Sequence, residues 1–124
     1  MLALVIDDSR AMRMILRRIL IEAGFEVVEA ADGQQALDAV NAGPIPDLAL
    51  IDWNMPVMNG LEFVTAVRKQ PGCRRMALMM VTTESEHSQI VRALAAGAHE
   101  YVLKPFTAEA IVDKLSLLGL TPAA

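Results

Sequence analysis

The chain has 124 residues, 54% hydrophobic and 21% charged, enough for one domain with its own core and too apolar for a disordered segment. Fifteen acidic against eleven basic side chains leave a formal charge of −4, a poor start for a nucleic-acid binder. A single cysteine, Cys73, excludes an internal disulfide framework and fits a reducing cytoplasm, and no uncharged stretch approaches the roughly 20 residues of a transmembrane helix.

Leu2 to Ile6 is a continuous apolar run, the pattern of a strand covered on both faces. Ser9 then offers a helix cap, and Met12, Ile15, Leu16, Ile19 and Leu20 recur at helical spacing until Gly24. Ile15 and Leu16 are expected in the core, and Arg10, Arg13, Arg17 and Arg18 on a solvated face. Glu26 to Ala30 reads as a second strand. Asp32 caps a helix with Ala36, Leu37 and Val40 inward, ended by Gly43-Pro44. Leu48 to Ile51 is a third strand, and Asn59-Gly60 opens a helix through Leu61, Val64 and Val67 that stops before Pro71-Gly72. Met76 to Val81 is a fourth strand, followed by a helix from a Ser85 cap to about Ala96, closed by Gly97. Tyr101 to Leu103 is a short fifth strand, and Thr107 caps a last helix with Ile111, Leu115 and Leu118 on one side.

Five βα units with apolar strands predict an α/β fold, a doubly wound five-stranded parallel sheet with helices on both faces. Such sheets bind ligands beyond the carboxyl ends of their strands. The residues there are Asp7-Asp8 after the first strand, Asp52 after the third, Thr82-Thr83 after the fourth and Lys104-Pro105 after the fifth. Three converging carboxylates raise one another's pKa unless a cation relieves them. Mg²⁺ suits an all-oxygen site, and Lys104 and Thr82 suit the far side of a phosphoryl group. A carboxylate attacking phosphorus gives an aspartyl phosphate, with Asp52 as the central candidate. No glycine-rich phosphate loop follows the first strand, which argues against a flavodoxin-like cofactor binder. Asn54 stands where a phosphohydrolase with an Asp nucleophile would carry its general acid.

These residues resemble the receiver domain of two-component response regulators over essentially the whole chain. The most specific stretches are Asp52-Trp53-Asn54-Met55-Pro56-Val57-Met58-Asn59-Gly60 and Ala96-Gly97-Ala98-His99-Glu100-Tyr101-Val102-Leu103-Lys104-Pro105-Phe106. The resemblance implies strand order 2-1-3-4-5 and one receiver domain over residues 1–124. It implies Asp52 as phosphoacceptor and Mg²⁺ or Mn²⁺ held by Asp8, Asp52 and the Asn54 backbone carbonyl, with Asp7 acting largely through water. It further implies Thr82 and Lys104 on the phosphoryl oxygens, Thr82 and Tyr101 as the switch, and Asn54 and Glu84 as positions that tune dephosphorylation. Pro105 would follow a cis peptide bond. Trp53 is expected to be partly exposed.

The resemblance also implies a cytoplasmic monomer that is no enzyme beyond its own phosphorylation and dephosphorylation. Its partners would be a sensor histidine kinase or histidine phosphotransferase and a downstream protein target, with neither nucleic acid nor membrane. Trp53, Glu84 and Tyr101 follow the pattern of single-domain chemotaxis regulators, whose target is the flagellar motor switch. Glu86 and His87 depart from it, standing where those regulators carry lysines. The alternatives are a phosphorelay shuttle, a phosphate sink or a scaffold that signals without phosphate. With no DNA-binding domain expected, output runs through protein contacts.

Overall fold

The computed structural model describes residues 1–120. In chain order the elements are β1 (Leu2–Ile6), α1 (Arg10–Glu22), β2 (Glu26–Ala30), α2 (Gly33–Ala42), β3 (Leu48–Ile51), α3 (Gly60–Arg68), β4 (Ala77–Thr82), α4 (His87–Ala96), β5 (Glu100–Leu103) and α5 (Ala108–Leu117), with a 3-10 turn at Pro71–Cys73. The strands form one parallel sheet in the order β2-β1-β3-β4-β5. Among the described residues no helix is long and apolar enough to cross a membrane.

Alternation along the three central strands divides the core in two. Leu4, Ile6, Ala49, Ile51, Leu78 and Met80 face α2, α3 and Ala93 of α4. Ala3, Val5, Leu48, Leu50, Met79 and Val81 face Leu16 and Leu20 of α1 and Ile111 and Leu115 of α5. β1, β3 and β4 are buried on both sides, as their unbroken apolar runs predict. β2 lies at an edge, and its Glu26, Val28 and Glu29 are exposed.

The predicted caps hold at four helices. The side chains of Ser9, Asp32, Asn59 and Thr107 accept backbone N–H groups of α1, α2, α3 and α5. α4 differs: Ser85 is not its cap, because the chain stays extended through Glu86, and Glu86 makes no capping bond. β4 runs one residue further than expected and includes Thr82, while β5 starts at Glu100. Ile15 is 50% exposed, since α1 turns Leu16 and Leu20 to the sheet and leaves Ile15 at the margin of the stripe. Arg13 is not simply solvated. Its Nη1 donates to the Asp7 carbonyl at 2.7 Å and its Nε to Glu29 at 3.1 Å.

Candidate functional site

The register brings the strand ends to one edge. Ile6 pairs with Ile51 and Thr82 with Leu103, so the residues that follow them meet on the same rim. Asp7, Asp8 and Asp52 each offer a carboxylate oxygen within 4.8 Å of the others. Asp7 and Asp52 are buried, and Asp8 is exposed.

Lys104 is the cation of this group. Its Nζ donates to Asp7 Oδ2 at 2.8 Å and lies 3.6 Å from Asp52 Oδ2, an ion pair without a close hydrogen bond. Asp7 Oδ1 accepts the Ser9 N–H at 2.9 Å, which closes the turn into α1. Asp52 Oδ1 accepts the N–H of Trp53 at 2.8 Å. Three carboxylates against one ammonium leave the rim electronegative even though Asp7 is paired.

Burial pushes the Asp52 carboxyl above its ordinary range; the Thr82 hydroxyl and then the Lys104 ammonium pull it back, and Asp7 adds a smaller upward push. The acid is thus set by desolvation, while Thr82, Lys104 and the Trp53 backbone N–H favour its ionised form. An all-oxygen, carboxylate-rich site with excess negative charge fits a hard dication such as Mg²⁺.

Glu84 links the rim to the surface around β5. Its N–H donates to the Thr82 hydroxyl at 3.3 Å, its carbonyl accepts the Tyr101 hydroxyl at 2.7 Å, and its carboxylate accepts Asn54 Nδ2 at 2.8 Å. Tyr101 is half-buried against the core, and burial raises its phenol pKa, with Glu84 and Asp52 adding to the rise. The Lys104-Pro105 peptide is cis, as expected.

Five expected site residues therefore converge directly: Asp7, Asp8, Asp52, Thr82 and Lys104. Asn54 and Tyr101 join them through Glu84. Two contributions escape sequence reading. Glu84 holds Tyr101 through a backbone carbonyl, and Arg13 holds the Asp7 carbonyl, so neither role shows in a side-chain motif.

Trp53 corrects an expectation. It is only 7% exposed and packs in the core beneath the site, with Arg92 of α4 over its ring. Gly60 is required where α3 starts. A Cβ there would stand 2.2 Å from the Asp52 carbonyl oxygen, and the Gly60 N–H donates to the Trp53 carbonyl. The glycine lets α3 begin directly against the strand end that carries Asp52.

Comparison with known proteins agrees with this geometry. The response regulator receiver domain family matches residues 3–116. The chain is 38% identical over 116 residues to "Chemotaxis protein CheY1" of Helicobacter pylori, covering 93% of this chain and 94% of the relative. It is 41% identical over 113 residues to "Chemotaxis protein CheY homolog" of Campylobacter jejuni, covering 90% and 87%. Chemotaxis response regulator CheY4 of Vibrio cholerae superposes with a TM-score of 0.87 at 37% identity, covering 94% of this chain and 97% of that one.

Proposed function

The chain belongs to the response regulator receiver domain family, and on that premise we propose that it is one receiver domain over residues 1–124, switched by phosphorylation of Asp52. The observation that carries this reading is the convergence of Asp7, Asp8 and Asp52, with Lys104 as their cation. An Asp52 carboxylate oxygen attacks the phosphorus of a phosphohistidine on a sensor kinase or phosphotransferase. The P–N bond breaks, the imidazole leaves, and an acyl phosphate remains on Asp52.

Asp7, Asp8, Asp52 and the Asn54 backbone carbonyl would hold Mg²⁺ or Mn²⁺, and the ion, when bound, offsets negative charge on the transferring group. Lys104 and Thr82 take the other phosphoryl oxygens. Asn54 and Glu84, bonded to each other, tune the access of hydrolytic water and so the lifetime of the phosphate. Beyond its own phosphorylation and dephosphorylation the protein catalyses nothing in this reading.

Thr82 and Tyr101 form the bistable element. Thr82 drawn toward the phosphoryl group changes the space and bonding open to the Tyr101 ring. The output face is the surface of α4, β5 and α5, where Leu94, Leu103 and Val112 are exposed. A monomer in the cytoplasm, binding a protein target through that face, is the simplest assembly. The chemotaxis names of the relatives favour a flagellar motor switch component as target. A relay shuttle or a phosphate sink would use the same acceptor.

Acetyl phosphate with Mg²⁺ tests the acceptor. Mass spectrometry should find one added phosphoryl group on the wild type and none on Asp52→Asn. Equal labelling of both proteins would refute the assignment. A pull-down with the phosphorylated wild type and the Asn variant then separates a motor component from a phosphotransferase alone.

A further inference from the structure

α4 is the least anchored helix of the fold. It buries only Ala93 fully, whereas α1 and α5 bury two residues each, α2 three and α3 four. Its first turn also has no side-chain cap. A single added contact therefore weighs more on α4 than on any other helix.

Arg92 supplies one. Its guanidinium carbon stands 5.9 Å from the centroid of the Trp53 ring, within cation–π range. Its Nη1 donates to Gln89 Oε1, one turn earlier, at 3.1 Å, so the guanidinium is oriented from its own helix. The indole is buried, and the backbone N–H of the same residue donates to Asp52 Oδ1. The backbone of Trp53 also receives the first N–H of α3. A line of contacts thus runs from Gln89 and Arg92, through the Trp53 ring and amide, to the Asp52 carboxylate. It is separate from the line through Glu84 to Tyr101.

We propose that Arg92 is a positioning residue that tethers α4 to the Asp52–Trp53 peptide through the face of the indole. The position of α4 and the surroundings of the Asp52 carboxylate then change together, and the coupling works in both directions. A solvent-exposed cation over the face of an aromatic ring biases an equilibrium by about two- to five-fold. That is enough to shift a helix held by one buried residue and too little to lock it. The consequence for signalling rests on Asp52 being the phosphoacceptor; the tether itself does not.

The test uses the full chain, unphosphorylated, with three variants. Arg92→Met keeps a long apolar stem and removes the charge. Arg92→Lys keeps a cation without the planar fork. Gln89→Ala frees the guanidinium without removing it. Hydrogen exchange of the amides in residues 87–96 and acrylamide quenching of Trp53 emission are measured on each; Trp53 is the one tryptophan, so the emission is assigned.

In Arg92→Met, α4 exchange should rise about two- to five-fold with α1 and α5 unchanged, and Trp53 should become more accessible to the quencher. Arg92→Lys should recover part of both changes, and Gln89→Ala should fall between wild type and Arg92→Met. Wild-type exchange and quenching in Arg92→Met would overturn the proposal. So would an Arg92→Lys protein indistinguishable from Arg92→Met, because packing by the stem, not charge over the ring, would then hold the helix. Acetyl phosphate labelling in parallel reports on Asp52 alone. Its failure in the wild type would sink the phosphoacceptor reading and leave the tether standing.

Discussion

Asp52 is an ionisable group in surroundings that disfavour its charge. Burial raises its pKa more than Thr82 and Lys104 lower it. For a carboxyl raised above its unfolded value, the stabilising contribution is complete below that value and lost as pH rises through the folded one. At neutral pH the ionised Asp52 therefore costs stability. Asp52→Asn keeps the shape without the charge, so it should be more stable than wild type by about 1 kcal/mol at pH 7 without divalent cations. Urea midpoints at a series of pH values check this. The advantage should shrink as the pH falls toward the ordinary carboxylate range, and an advantage that grows instead would contradict the burial account. Asp7, Asp52 and Lys104 are legible in the sequence because each directly follows an apolar run, which gives its height in the sheet. Trp53 is not, because the arginine over it comes from a helix 39 positions on and no local pattern encodes that meeting.

At the scale of elements, helix starts are the most readable feature and α4 the exception. Asn59 and Glu62 bond reciprocally across the first turn of α3, a signature visible in the spacing alone. Ser85 offers the same chemistry for α4, yet the next residue, Glu86, is still extended and takes the cap position. The strands are placed well by their apolar runs, but the lead-in to β5 carries an unforeseen brace. His99 accepts the Leu78 N–H on Nδ1 at 3.1 Å and donates its own N–H to the Leu78 carbonyl. Arg68 of α3 lies 3.2 Å from the same ring nitrogen and also donates to the Gly97 carbonyl. Burial lowers the His99 pKa, Arg68 lowers it further, and Glu100 opposes them. An imidazole held neutral in the fold takes up protons more readily when unfolded. Its stabilising contribution is present above 6.5 and lost as the pH drops below that value. His99 is only partly covered, so solvent screens the effect to about 0.5 kcal/mol. His99→Asn retains a side-chain acceptor that does not titrate, and it should flatten the stability profile below 6.5. An unchanged slope in that variant would remove His99 as its source.

For the whole molecule, if the electronegative rim takes a divalent cation, the stability of the fold should depend on that cation. The carboxylates of Asp7, Asp8 and Asp52 are gathered by folding and scattered in the unfolded chain, so an ion that bridges them binds only the native state. Stability should then rise with free Mg²⁺ as RT ln(1 + [L]/Kd), approaching about 1.4 kcal/mol per decade above the dissociation constant. Asp8 is the member to remove. It is exposed and, among the described residues, makes no ion pair, so Asp8→Ala should leave stability without Mg²⁺ within about 0.5 kcal/mol of wild type. The same change takes away one of three carboxylates and should flatten the Mg²⁺ dependence. Sodium chloride at matched ionic strength controls for general screening, which acts on exposed charges everywhere and has no Asp8 dependence. Thermal midpoints over a Mg²⁺ series separate the outcomes. A wild-type midpoint that rises with Mg²⁺ while the Asp8→Ala midpoint stays flat locates the ion at this rim. Parallel curves for the two proteins would mean that any bound ion sits elsewhere, and would leave the acidic cluster relieved by Lys104 alone.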